Sequence, residues 1–182
     1  MDVAGRVVLI TGASSGVGAA LATKLAEMGA RVVVNYSRSV EAAEAVVSHI
    51  SDAGGHALAV QADVSEEADC KRLVATTVEH FGQLDVLVNN AGTTTFVPHD
   101  QLDALTEDIW LRTLRVNLVG AFMMSREVAP HIEVAGGGEI VMTSSIASTT
   151  ANGSSIAYCA SKAGMNSLTR TLAKTLGQKK IR

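Results

Sequence analysis

A short aliphatic run, Arg6–Ile10 (RVVLI), passes directly into the glycine-rich segment Thr11–Gly18 (TGASSGVG), and helical periodicity begins immediately behind it. No other feature constrains the fold as much. Gly12, Gly16 and Gly18 stand at Gly-x3-Gly-x-Gly spacing. Glycine is needed where a Cβ would obstruct a close backbone approach. A helix N-terminus presents unpaired N–H groups and a partial positive charge, so a pyrophosphate can settle there. Gly12, Ser14, Ser15, Gly16, Val17 and Gly18 are therefore candidate dinucleotide contacts. An ordinary glycine-rich turn is the competing reading, and the strand–turn–helix context favours the nucleotide site.

The same alternation continues along the chain. Helical spacing over Ala19–Met28 closes at Gly29, and Arg31–Tyr36 reads as the next strand. Ser39 caps a helix running to Ile50, and His56–Asp63 forms a third strand followed by a helix from Ser65. Leu84–Gly92 is a fourth strand and its turn, and Thr106 caps a long helix over Glu107–Ala129. Gly138–Ser145 is a fifth strand, and a last helix covers Ser155–Leu176. Such alternation implies parallel strands, right-handed crossovers and helices on both faces. Residues 1–182 read as one doubly wound α/β domain of Rossmann type, with no repeats or linkers. With 47% hydrophobic but only 3% aromatic residues, its core must be built from Val, Ile, Leu, Ala and Met.

Charge and composition remove several function classes. A net charge of -3 without a basic block gives no electrostatic case for nucleic acid or a membrane surface. The apolar runs fall short of the roughly 20 residues a membrane helix needs, and the N-terminus lacks a secretory pattern. Cys70 and Cys159 lie far apart and read as reduced thiols of a cytoplasmic protein. His49, His56, His80, His99 and His131 show no metal-ligand spacing.

The strand ends carry the remaining nucleotide signals. After the second strand, an acid would accept from a free ribose 2′-hydroxyl, whereas a cation would suit a 2′-phosphate. Ser37 and Arg38 stand there, so NADP(H) is favoured and NAD(H) remains possible. Asp63, followed by Val64, either accepts from an adenine amino group or caps the next helix. Asn89 and Asn90, in the turn with Ala91 and Gly92, either tether neighbouring turns or contact the cofactor.

TGASSGVG, NNAG, RVNL, TSS and YCASK follow the order and spacing of the short-chain dehydrogenase/reductase family, which the chain resembles over essentially its whole length. It is similar in texture to bacterial 3-oxoacyl-acyl-carrier-protein reductases, and NYSRS resembles their NADPH-using members. The resemblance implies a tetrad at Asn117, Ser145, Tyr158 and Lys162, with Tyr158 and Lys162 also touching the cofactor. It further implies that the Asn117 backbone holds a water of a proton relay. The chemistry implied is hydride transfer between a nicotinamide and a carbonyl or acyl thioester substrate. A carbonyl that accepts hydride becomes an alkoxide and needs a proton. An ammonium near a phenol favours the phenolate, and Tyr158 and Lys162, at i and i+4, share a helix face. Ser145 precedes Tyr158 by thirteen residues and is preferred to Ser144 as the hydroxyl that positions the substrate oxygen.

The resemblance also implies parts beyond GQKKIR: a Pro-Gly turn, a substrate-covering helical segment and a last strand. Pro98 and Pro130 come earlier and precede no glycine. The expectation is a C-terminally incomplete domain whose fifth strand is an open edge, paired through its two long helices as a homo-oligomer. A nucleotide-binding or interaction module without turnover is the alternative.

Overall fold

The structure, a computed structural model, describes residues 3–182. Its strands are β1 (Val7–Ile10), β2 (Arg31–Tyr36), β3 (His56–Gln61), β4 (Val86–Asn89) and β5 (Glu139–Met142). All neighbours run parallel, in the order β3-β2-β1-β4-β5. Between them lie the helices α1 (Gly16–Glu27), α2 (Val40–Asp52), α3 (Glu67–Phe81), α4 (Glu107–Leu114), α5 (Ala121–Val134), α6 (Ala147–Thr150) and α7 (Ile156–Leu176). The chain winds outward from β1 to β3, then crosses to β4 on the other side of β1. That reversal opens a crevice at the carboxyl ends of β1 and β4, where doubly wound sheets take their ligands.

Alternate side chains of β1 point into two separate cores. Val8 and Ile10 pack with Ala22, Ala26, Ala43 and Ile50 of α1 and α2. Val7 and Leu9 pack with Cys70 and Leu73 of α3 and with Met124, Val128 and Ile132 of α5. A strand buried on both faces needs a continuous aliphatic run, which is what Val7–Ile10 supplies. The alanines of α1 bring that helix close to the sheet, consistent with a core that has few aromatics.

The elements differ from sequence expectation at several ends. Ser39 and Thr106 occupy N-cap positions, but neither side chain makes a capping bond. The long helix does not stop at Ala129. It passes Pro130 to Val134, because the fully buried Ile132 anchors its last turn. Its middle, Arg115–Gly120, is a π-helical turn. β5 ends at Met142 because Thr143 and Ser144 turn towards α7. Nor is β5 a wholly open edge. The Ile140 N–H donates to the Arg182 carbonyl, Arg182 N–H donates to Gly138, and Ile181 is buried.

Candidate active site

The glycine turn is built by long-range hydrogen bonds. Gly12 has φ +62, and a Cβ there would lie 2.9 Å from the Ala91 Cα, so two strand-end turns cross at this point. Thr11 Oγ1 accepts the N–H groups of Asn90 and Ala91. The Asn90 amide donates to the carbonyls of Thr11 and Gly12. Asn90 is thus the tether between the two turns, while its neighbour Asn89 is buried against Ser125.

Asn35 is a residue whose importance sequence reasoning missed. It is buried in β2, accepts the Gly12 N–H at 3.1 Å, and donates to the carbonyls of Val60 and Ala62. It joins the β1 turn, β2 and the end of β3. A polar residue at the end of the buried run VVVN was the available signal. Replacing Asn35 with Ala is expected to cost about 1–3 kcal/mol, the range for stranding buried polar partners. A urea melt of both proteins, compared at unchanged m-value, checks this.

A cleft of about 430 Å³ opens over these turns. Gly12, Ser14, Ser15 and Val17 line it on the α1 side, and Ser37 and Arg38 at the end of β2. Asp63, Val64, Asn90, Ala91 and Gly92 complete the wall. Gly16 and Gly18 stand behind it; a Cβ on Gly18 would meet Asn90 Nδ2 and the Gly12 carbonyl oxygen, each at 2.6 Å. Asp63 does not cap α3, whose N-cap position is Glu66; its Oδ1 accepts both the N–H and the hydroxyl of Ser65 in the turn before that helix. The cleft fits a dinucleotide: its crossing backbone leaves no room for a Cβ at Gly12, a helix N-terminus faces it, and a guanidinium stands at its rim.

A second cleft, of about 460 Å³, shares Asn90, Gly92 and Thr93 with the first and continues past Thr94, Ser145, Ser154, Tyr158 and Lys162. Lys162 Nζ donates to the Thr143 carbonyl at 2.7 Å and lies 5.7 Å from the centroid of the Tyr158 ring. Burial holds the Lys162 ammonium below its ordinary pKa, because desolvation penalises the charged form. The two serines differ clearly. Ser144 Oγ donates to Asn166 Oδ1 at 2.6 Å and is committed to α7. Ser145 Oγ accepts the Ala147 N–H, so its own hydrogen remains available to the cleft.

Asn117 does not reach either cleft. It is fully buried in the π turn, where its side chain accepts from Thr93 N–H and donates to the Thr93 carbonyl and Ser161 Oγ. The wider turn frees local backbone pairing and is a common marker of functional positions. Cys70 and Cys159 are free and buried, and burial pushes the Cys70 thiol up to about 11. No helix among the described residues is long and apolar enough to cross a membrane.

A cleft over the glycine turn that runs into a hydroxyl-rich basin at the switch point of a parallel sheet places the molecule among the Rossmann-type folds. More narrowly, the chain belongs to the short chain dehydrogenase family, whose model matches residues 6–182. It is 48% identical, over 94% of its length, to a protein of Streptomyces violaceoruber described as ketoacyl reductase 2 of the granaticin polyketide synthase, and covers 67% of that protein. It is 42% identical to versicolorin reductase 1 of Aspergillus parasiticus, covering 97% of this chain and 66% of that one. The solved short-chain dehydrogenase/reductase of Serratia marcescens BCRC 10948 superposes with a TM-score of 0.91 at 37% identity, over 100% of this chain and 72% of that one. The chain thus spans about two thirds of the length of the curated relatives it matches. A nicotinamide dinucleotide is the cofactor class that this family's fold takes.

Proposed function

We propose that the chain carries the NADP(H)-binding and catalytic residues of a carbonyl reductase, with a 3-oxoacyl thioester as first substrate candidate. The observation that carries this reading is the joining of the two clefts at Asn90, Gly92 and Thr93, with Tyr158 and Lys162 on the wall just beyond. The bound dinucleotide supplies the hydride. Ser145 donates its free hydroxyl hydrogen to the substrate oxygen and orients it. Tyr158 gives up its phenolic proton as negative charge develops there. Lys162, buried 5.7 Å from the ring centroid, supplies nearby positive charge to the phenol. Asn117 spends its side chain on Thr93 and Ser161, which leaves its main chain as the part available to a relay water.

Relatives described as a ketoacyl reductase and a versicolorin reductase support a reductive direction. Following NADPH absorbance with an acetoacetyl thioester and with versicolorin tests the reading, and failure to turn over either counts against it. A binding module without turnover is the second reading. Calorimetric dinucleotide binding with no NADPH consumption would identify that state. Leu111, Val119 and Phe122, exposed on α4, the π turn and α5, support a homodimer formed through these helices.

The preference for NADP(H) rests on Ser37 and Arg38 in the cleft wall. Charged hydrogen bonds contribute about 1.5–3 kcal/mol, so Arg38→Ala is expected to weaken NADPH binding about 10- to 100-fold. NADH binding should remain within about threefold, since no 2′-phosphate is there to lose a partner. Paired calorimetric titrations distinguish these outcomes, and an equal loss for both cofactors would refute the assignment.

A further inference from the structure

The turn of α7 that holds Tyr158 is gripped on both sides by the loop that leaves β4. On one side, Thr93 bonds Asn117, Asn117 donates to Ser161 Oγ at 3.0 Å, and Ser161 donates to the Tyr158 carbonyl at 2.7 Å. On the other, Thr94 Oγ1 lies 2.9 Å from Ser154 Oγ and 3.4 Å from Ser155 Oγ. Ser155 caps α7, its Oγ accepting the Tyr158 N–H. That leaves the Ser155 hydrogen for Thr94, and the Thr94 hydrogen for Ser154. His99 Nε2 lies 2.7 Å from the Ser154 carbonyl. A carbonyl only accepts, so Nε2 carries the hydrogen and donates.

The loop has little apolar attachment of its own. Val97 is buried, but Phe96 is 72% exposed, and Thr94, Thr95 and His99 are exposed as well. Ser154 and Ser155 are buried. Polar bonds to those two serines, together with the Thr93–Asn117–Ser161 chain, therefore join the loop to α7. Thr94 and Ser154 line the second cleft, whereas His99 lies outside its wall.

We propose that Thr94 and His99 are positioning residues for Tyr158, clamping the Ser154–Ser155 cap of α7 against the loop after β4. The inference rests on the reductase reading for its kinetic consequence, and on hydrogen bonds alone for its structural one. Small displacements of a proton donor are costly, so His99→Ala and Thr94→Val are each expected to lower kcat about tenfold. For His99→Ala, which lies outside the cleft wall, the KM for the carbonyl and the Kd for NADPH should stay within about twofold, because the lost interaction acts on the donor and not on ground-state binding. Thr94→Ser and His99→Gln, which keep a hydroxyl and an N–H donor, should restore most of the rate. A merely structural loop contact would not move kcat alone or show that rescue.

The same four variants are to be compared by amide hydrogen exchange over Tyr158–Ser161, where Thr94→Val and His99→Ala should exchange faster than the parent. Unchanged kcat in both variants, a loss confined to KM, or no rescue by the conservative pair would each overturn the proposal. If the parent protein reduces no carbonyl, the reductase reading fails by itself. The clamp is then decided by exchange: unaltered protection in both disruptive variants removes it, and faster exchange upholds it.

Discussion

Tyr158→Phe is expected to lower carbonyl turnover on the order of 10²- to 10⁴-fold, the range general acid–base catalysis contributes. It removes one hydroxyl and little else. The ring stays within reach of Lys162, and the turn is still held by Ser155 below and Ser161 above, through main-chain atoms of residue 158. NADPH affinity is expected to fall by no more than about tenfold, the cost of one neutral hydrogen bond among many cofactor contacts, so the larger loss lies in turnover. NADPH consumption and calorimetry on the same preparation separate the two effects. A variant that keeps a tenth or more of the parent rate would refute Tyr158 as the proton donor.

Gly18→Ala should act on binding instead. A Cβ at this position would lie 2.6 Å from the Gly12 carbonyl oxygen and 2.9 Å from Ala13 Cα, both backbone atoms of the turn. It would also stand 2.6 Å from Asn90 Nδ2, the group that ties the β1 and β4 turns together. A flexible side chain could move aside, but crossing backbones cannot. α1 must therefore shift off the turn, at about 1–3 kcal/mol for overpacking. The amides at its N-terminus move with it, and dinucleotide affinity is expected to fall on the order of 10²-fold as phosphate contacts are lost together. Calorimetric titration with NADPH, read beside a thermal melt, checks both. Parent-like affinity would show that the close approach is not what shapes the cradle.

Much of this architecture was legible beforehand, for local reasons. Five aliphatic runs, each followed by helical spacing, imply parallel strands with helical crossovers, and the order β3-β2-β1-β4-β5 is the arrangement found. The i, i+4 spacing alone places Tyr158 and Lys162 on one helix face. Element ends were less legible, because they depend on distant partners. β5 stops where Thr143 meets Lys162 and Ser144 meets Asn166. The long helix outlasts Pro130 because Ile132 finds a buried site. Asn117 could be marked in sequence, but not the π turn that buries it or the Thr93 backbone that occupies its side chain.

Backbone conformation and face periodicity follow from residues within a few positions of one another, and the sequence by itself determined them. Tertiary structure alone decided which polar groups are spent on distant partners. Ser144 is bound to Asn166 and Ser145 keeps a free hydrogen, while Asn35 carries the Gly12 turn and Thr94 and His99 meet the cap of α7. The bonds of Ser144, Asn35, Thr94 and His99 join residues roughly twenty to sixty positions apart. A hydroxyl or amide can bond equally well to many partners, and only the folded register brings one of them within 3 Å.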